Sequence, residues 1–153
     1  MALLLPGQQG MLESNTATAI GAGRANTATL LASPDCTVAT SDDSVKSAFQ
    51  KAADHRAWNG LADWFIPSKD ELELLCRYPY RNGIGGFPND ENREYVSSST
   101  QLDNSTQYPK TKYWQVSFND GACTSNLGMN EVNSGTTITN ADDRVLTRPI
   151  RAF

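Results

Sequence analysis

The sequence predicts an α+β domain, and three observations carry that prediction. Apolar residues recur at spacings of three and four in two stretches of the first half, about residues 41–57 and 68–79. Beyond residue 80 that spacing gives way to short runs of alternating character, set apart by segments rich in Gly, Asn, Asp and Ser. A length of 153 residues suits a single hydrophobic core. Helices first and short strands afterwards is the order expected of α+β architecture.

Residues 1–20 begin with the apolar tip "MALLLPGQQGML" and continue rich in Ser, Thr, Ala and Asn. The tip has no basic n-region, and Pro6 and Gly7 break its apolar run, so no cleaved secretory signal is expected. The reading is an N-terminal arm that docks on a neighbour, followed by a domain over residues 21–153. The next phrase, "GAGRANTATLLAS", carries Gly21 and Gly23 but lacks the third glycine and the preceding strand of a dinucleotide fingerprint. Phosphate binding there is rejected.

From Ser41 to about Ala57, the positions Val45, Ala48, Phe49 and Ala52 form one apolar face, and Ser41, Asp42 and Asp43 are candidate caps. "DWFIPSKDELELL" follows, with Asp63 to Ile66 read as a short strand that Pro67 stops. Trp64 and Ile66 are its expected core residues. Ser68 and Glu71 stand three apart, the spacing of a capping box, and Leu72, Leu75 and Cys76 form the inner face of the helix that starts there. Asp70, Glu71 and Glu73 favour the positive end of that helix, and Pro79 is expected to close it.

"REYVSSST", "KYWQVSF" and "VLTRPIRAF" read as strands. In the second, Trp114, Val116 and Phe118 alternate with Tyr113, Gln115 and Ser117, which predicts one core face and one polar face. Residues 77–93 and 119–143 read as connections far longer than the usual four to six or so residues. The second is nearly free of large apolar side chains and is expected at the surface.

Composition excludes some functions. The formal charge is -4, from 13 basic and 17 acidic residues that form no blocks, so neither nucleic acid nor an anionic membrane is an expected partner. No apolar run approaches the ~20 residues of a membrane span. Cys36, Cys76 and Cys123 stand far apart, and are expected as buried small hydrophobes of a protein made in a reducing cytosol. They and the lone His55 provide neither a zinc set nor an evident nucleophile–base pair. His55 is expected on the polar side or at the end of the first helix. Asn89, Asp90, Glu91 and Asn92 offer oxygen ligands suited to calcium, but a solvated turn explains them better and no cofactor is expected. The loops around the second strand combine Tyr108 with many short polar side chains, a composition used by recognition surfaces. Tyr108, Asn119, Asp120, Asn126, Asn130 and Asn133 are the candidate ligand-binding residues.

Five phrases in order, "GAGRANT", "NGLADWFIPSKDELELL", "GGF", "YVSSS" with "YWQVSF", and the terminal "RPIRAF", carry a resemblance. They resemble the C-terminal domain family of collagen-like bacterial adhesins, found also in phage tail and virion proteins and related in fold to formylglycine-generating enzymes and C-type lectins. The family often has tryptophan where Val96 stands here. The resemblance implies a C-type-lectin-like fold, with two helices packed on a twisted antiparallel sheet and irregular loops forming one exposed face. It also implies a non-enzymatic virion protein of a tailed bacteriophage: a tail fibre tip, receptor-binding adhesin or capsid decoration. The expected location is the virion surface, after synthesis in the host cytoplasm. Expected partners are other virion proteins through the arm, a host cell-surface glycan or protein through the loops, and further copies of the chain, as in a trimer. The alternatives are an enzyme of the sulfatase-modifying type, which would need a groove-facing cysteine pair, and a purely architectural cement protein.

Overall fold

The fold is α+β, and the structure, a computed structural model, describes residues 15–32, 47–55, 60–87, 94–103, 110–118, 122–131 and 145–151. Among the described residues three α-helices come first: α1 (Gly23–Leu31), α2 (Ala48–Asp54) and α3 (Lys69–Leu75), the last continuing into a π-helical turn over Cys76–Tyr80. Four strands follow among these residues: β1 (Glu94–Asp103), β2 (Lys110–Ser117), β3 (Thr124–Glu131) and β4 (Val145–Leu146). They form one sheet in the order β3-β2-β1-β4. β1, β2 and β3 are antiparallel neighbours, and the two residues of β4 lie parallel to β1.

Both faces of the sheet are covered where β1 and β2 pair, which corrects the expectation of one polar face on β2. Val96 of β1 and Tyr113 of β2 lie with Leu30 of α1 and with Phe49 and Ala52 of α2 in one buried cluster. Tyr95 and Val116, which pair across the strands, lie in a second cluster with Leu72, Cys76, Phe118 and Cys123. Successive residues of a strand point to opposite faces, so strands between two helical layers show no polar side. Tyr113 and Gln115, read as polar-face residues, are buried, whereas Trp114 is half-buried rather than core. Aromatic rings dominate the second cluster: Phe118 stands 4.4 Å from Tyr95, 5.1 Å from Tyr80 and 5.3 Å from Phe87, centroid to centroid.

The capping box forms as predicted. The Ser68 hydroxyl accepts from the Glu71 N–H at 3.3 Å, and the Glu71 carboxylate accepts from the Ser68 N–H at 2.7 Å. Helix α2 is capped by Ser47, whose side chain accepts from the Gln50 N–H; Ser41, Asp42 and Asp43 lie outside the described residues. Pro79 does not stop the helical path at once, because the turn widens to π geometry and runs through it to Tyr80. The expected strand at 63–66 reduces to one antiparallel bridge, Phe65 with Ile150, and Asp63 has a left-handed φ of 64° that an extended run would not contain.

Helix α1 was not expected. Its buried residues Gly23, Asn26, Thr27 and Leu30 have helical spacing, but only one is a large apolar side chain. Polar partners replace the missing grease. Thr27 Oγ1 accepts from the Ile66 N–H and donates to the Ile66 carbonyl, at 3.1 and 3.2 Å, while Asn26 exchanges two bonds with the backbone of Ala17. The segment 119–143, read as a connector, contains β3. A strand paired on one side needs only backbone bonds and a few cross-strand contacts, so "TSNLGMNE" serves with Leu127 and Met129 as its only large apolar residues.

Cys76 and Cys123 are buried as expected but are not free thiols. They form a disulfide with Cα atoms 5.6 Å apart, tying the end of α3 to the start of β3. The two cysteines, 47 positions apart in sequence, meet because β2 and β3 both pack against α3. Cys36 lies outside the described residues.

Candidate functional site

Two surfaces qualify. The first is the edge of the sheet and its loops, where the candidate ligand-binding residues were placed. Asn126 is exposed on β3, paired in register with Gln115 of β2, and Asn130 lies further along the same strand. Tyr108, Asn119, Asp120 and Asn133 lie outside the described residues, as do Asn89, Asp90, Glu91 and Asn92. Among the described residues no group of three His, Cys, Asp or Glu side chains could hold a metal ion. None of their helices is long and apolar enough to cross a membrane.

The serine run behind this edge is structural. β1 and β2 lose register between Val96 and Thr100, and the irregularity opens the backbone of "SSS" to side-chain partners. Ser97 Oγ donates to the Trp114 carbonyl at 2.9 Å and accepts from the Ser99 N–H at 3.1 Å. Ser99 Oγ donates to the Ala17 carbonyl at 2.7 Å and accepts from the Lys69 N–H at 2.9 Å. The Ser98 N–H reaches the Pro67 carbonyl at 2.7 Å. All three serines are fully buried, so these hydroxyls are fixed partners in the interior and not nucleophiles on a surface.

The second surface is a cleft of about 240 Å³ between α1, α2 and the Asp63–Phe65 segment. Thr27 and Phe65 are buried residues of its lining, Leu31 and Trp64 are half-buried, and Arg24 and Asp63 are exposed. Ala28 and Ala53 leave the space, since a larger side chain at either position would fill it. Arg24 lies over the Phe65 ring, 5.4 Å from its centroid. Trp64 is held by its indole N–H, which donates to the Leu61 carbonyl at 3.2 Å, and by the edge-on ring of His55 at 5.2 Å. His55 is the exposed C-cap of α2, at the helix end where it was expected.

Charge on this cleft is balanced, one cation against one carboxylate. Among the described residues, neither the Arg24 guanidinium nor the Asp63 carboxylate has a hydrogen-bond or ion-pair partner. Lys69, near Trp114, differs. Burial lowers its pKa, but hydrogen bonds to Asp70 and Glu73 and their charges outweigh this and leave the ammonium above its ordinary 10.5. Its ion pairs measure 2.6 and 3.0 Å, so it is committed to the helix that carries it.

Comparison with family models, with curated proteins and with solved structures finds no match for this chain.

Sequence reasoning placed Trp64 in the core and Asp63 in a strand, and so passed over the cleft. Arg24, Thr27, Ala28 and Leu31 share a helical face, a pattern legible only once residues 23–31 are known to be α1.

Proposed function

We propose that this chain is a non-enzymatic structural and binding protein of a tailed-phage virion, with a C-type-lectin-like fold that displays its sheet edge and loops to the host surface. One observation supports it best. The phrases that carry the family resemblance lie far apart in sequence but bond to one another: Thr27 to Ile66, Gly21 to Glu71, Ser98 to Pro67 and Phe65 to Ile150. They make up a scaffold, and the polar strand β3 with its flanking loops is left for recognition. In this reading the arm, Ala2 to Leu12, docks on a neighbouring subunit of a trimer.

The enzymatic alternative asks for a cysteine pair facing a groove. The Cys76–Cys123 pair is buried among aromatic rings instead, which favours binding over catalysis. Immunogold electron microscopy tests the proposal, using antibody against the purified chain on particles from cells that express it. Labelling at the particle surface is expected; label confined to free protein with bare particles would sink the virion assignment.

A further inference from the structure

The cleft beside Trp64 is lined by none of the residues assigned to the display edge, and its chemistry specifies a class of ligand. Its volume, about 240 Å³, is below the ~300–1,000 Å³ of pockets that enclose a drug-sized molecule, so it accommodates about one ring. Half-buried Trp64 and Leu31 with buried Phe65 give it an apolar wall. Arg24, which lies over Phe65, supplies donors only and Asp63 acceptors only, and neither has a hydrogen-bond or ion-pair partner among the described residues. Opposite charges at one rim select neither an anion nor a cation. They suit an uncharged ring with hydroxyls that both donate and accept, and with an apolar C–H face to lie on an aromatic wall.

We propose that the cleft formed by Arg24, Thr27, Leu31, Asp63, Trp64 and Phe65 is a carbohydrate subsite for the terminal, uncharged pyranose of a glycan. The aromatic wall takes the C–H face of the ring. Arg24 donates to one ring hydroxyl oxygen while Asp63 accepts from a hydroxyl proton, each a hydrogen bond strengthened by charge. Affinity for a single ring is weak, as one small contact allows, and copies of the chain on one assembly would multiply it. No metal is needed, because the two charged side chains already provide both hydrogen-bonding senses. The subsite does not depend on where the chain is mounted, so its test is separate from the particle-labelling experiment.

Saturation-transfer NMR on the full chain tests it, with the methyl pyranosides of glucose, galactose, mannose and N-acetylglucosamine as probes at millimolar concentration. At least one is expected to receive saturation on its ring C–H protons. Arg24→Gln and Asp63→Asn change exposed side chains, so the fold is expected to be kept, and each is expected to weaken that binding about tenfold. Trp64→Ala should abolish it, while Asn126→Ala on β3 leaves it unchanged. Absence of transfer to every pyranoside, or binding that survives both Arg24→Gln and Asp63→Asn, overturns the assignment. Preferential binding of adenosine or of a free amino acid in the same assay overturns it as well.

Discussion

At Gly23 the first turn of α1 meets the capping box of α3, and no side chain fits between them. A β-carbon there would come 2.3 Å from Glu71 Oε2, 2.8 Å from the Ser68 nitrogen and 3.0 Å from the Ile66 oxygen. The carboxylate could swing aside, but the other two atoms are backbone. Glu71 is itself committed, accepting from the N–H groups of both Ser68 and Gly21, at 2.7 and 3.0 Å. Gly23→Ala is therefore expected to cost roughly 1–3 kcal/mol, the usual penalty for forcing atoms into a packed interior. Urea unfolding of the single variant and of Gly23→Ala in a Glu71→Ala background decides the cause. The cost should persist in that background; if it vanishes, the carboxylate alone was the obstacle. The same position explains the glycines that mimic a nucleotide fingerprint: Gly21 supplies a positive φ of 89° before α1, and Gly23 supplies close approach.

Elements whose signals are local could be read from the sequence, and those defined by partners could not. The α3 box was legible because Ser68 and Glu71 satisfy each other within one turn. Helix α1 was not, because Asn26 and Thr27 are buried only by virtue of Ala17 and Ile66, which adjoin them through folding. β3 likewise has only two large apolar residues, Leu127 and Met129, and is specified by its register against β2. Of the candidate binding residues, Asn126 alone is placed with its exposure, while the cleft at Trp64 needed α1 to become visible. The disulfide was the largest departure, since spacing of 47 residues gives no cue of its own. Closing a loop of that length is worth about 4 kcal/mol in chain entropy, so reduction is expected to lower the unfolding free energy by about that amount. Titration of thiols in denaturant without reductant should find one per chain, that of Cys36. Finding three would return Cys76 and Cys123 to the free, buried state expected of a reducing cytosol.

For the whole molecule, the boundary between arm and domain matters most, because any test of assembly depends on where the chain is cut. The expected arm covered residues 1–20, but from Asn15 onward the chain is sewn into the fold. Thr16 and Thr100 bond to each other through backbone N–H and hydroxyl at 2.9 and 3.0 Å, and Thr16 Oγ1 donates to the Ser98 carbonyl. Ala17 is held by Asn26 and Ser99, Thr18 accepts from the Asp70 N–H, and Ala19 accepts from the Ser68 hydroxyl. Removing this segment would strand the buried groups of β1, α1 and α3 that it satisfies, at about 1–3 kcal/mol each. Against a typical total of about 5–15 kcal/mol, several such losses remove most of the stability of a domain. A chain cut before Asn15 keeps every one of these bonds and is expected to unfold cooperatively. A chain cut before Gly21 is expected to show no cooperative transition in calorimetry or urea. Equal stability of the two truncations would mean that the stitch adds nothing. Only the cut before Asn15 can then test the proposed docking arm: sedimentation of that chain beside the intact one is expected to show loss of the proposed trimer with the fold retained. A trimer that persists without residues 1–14 would assign assembly to the domain itself.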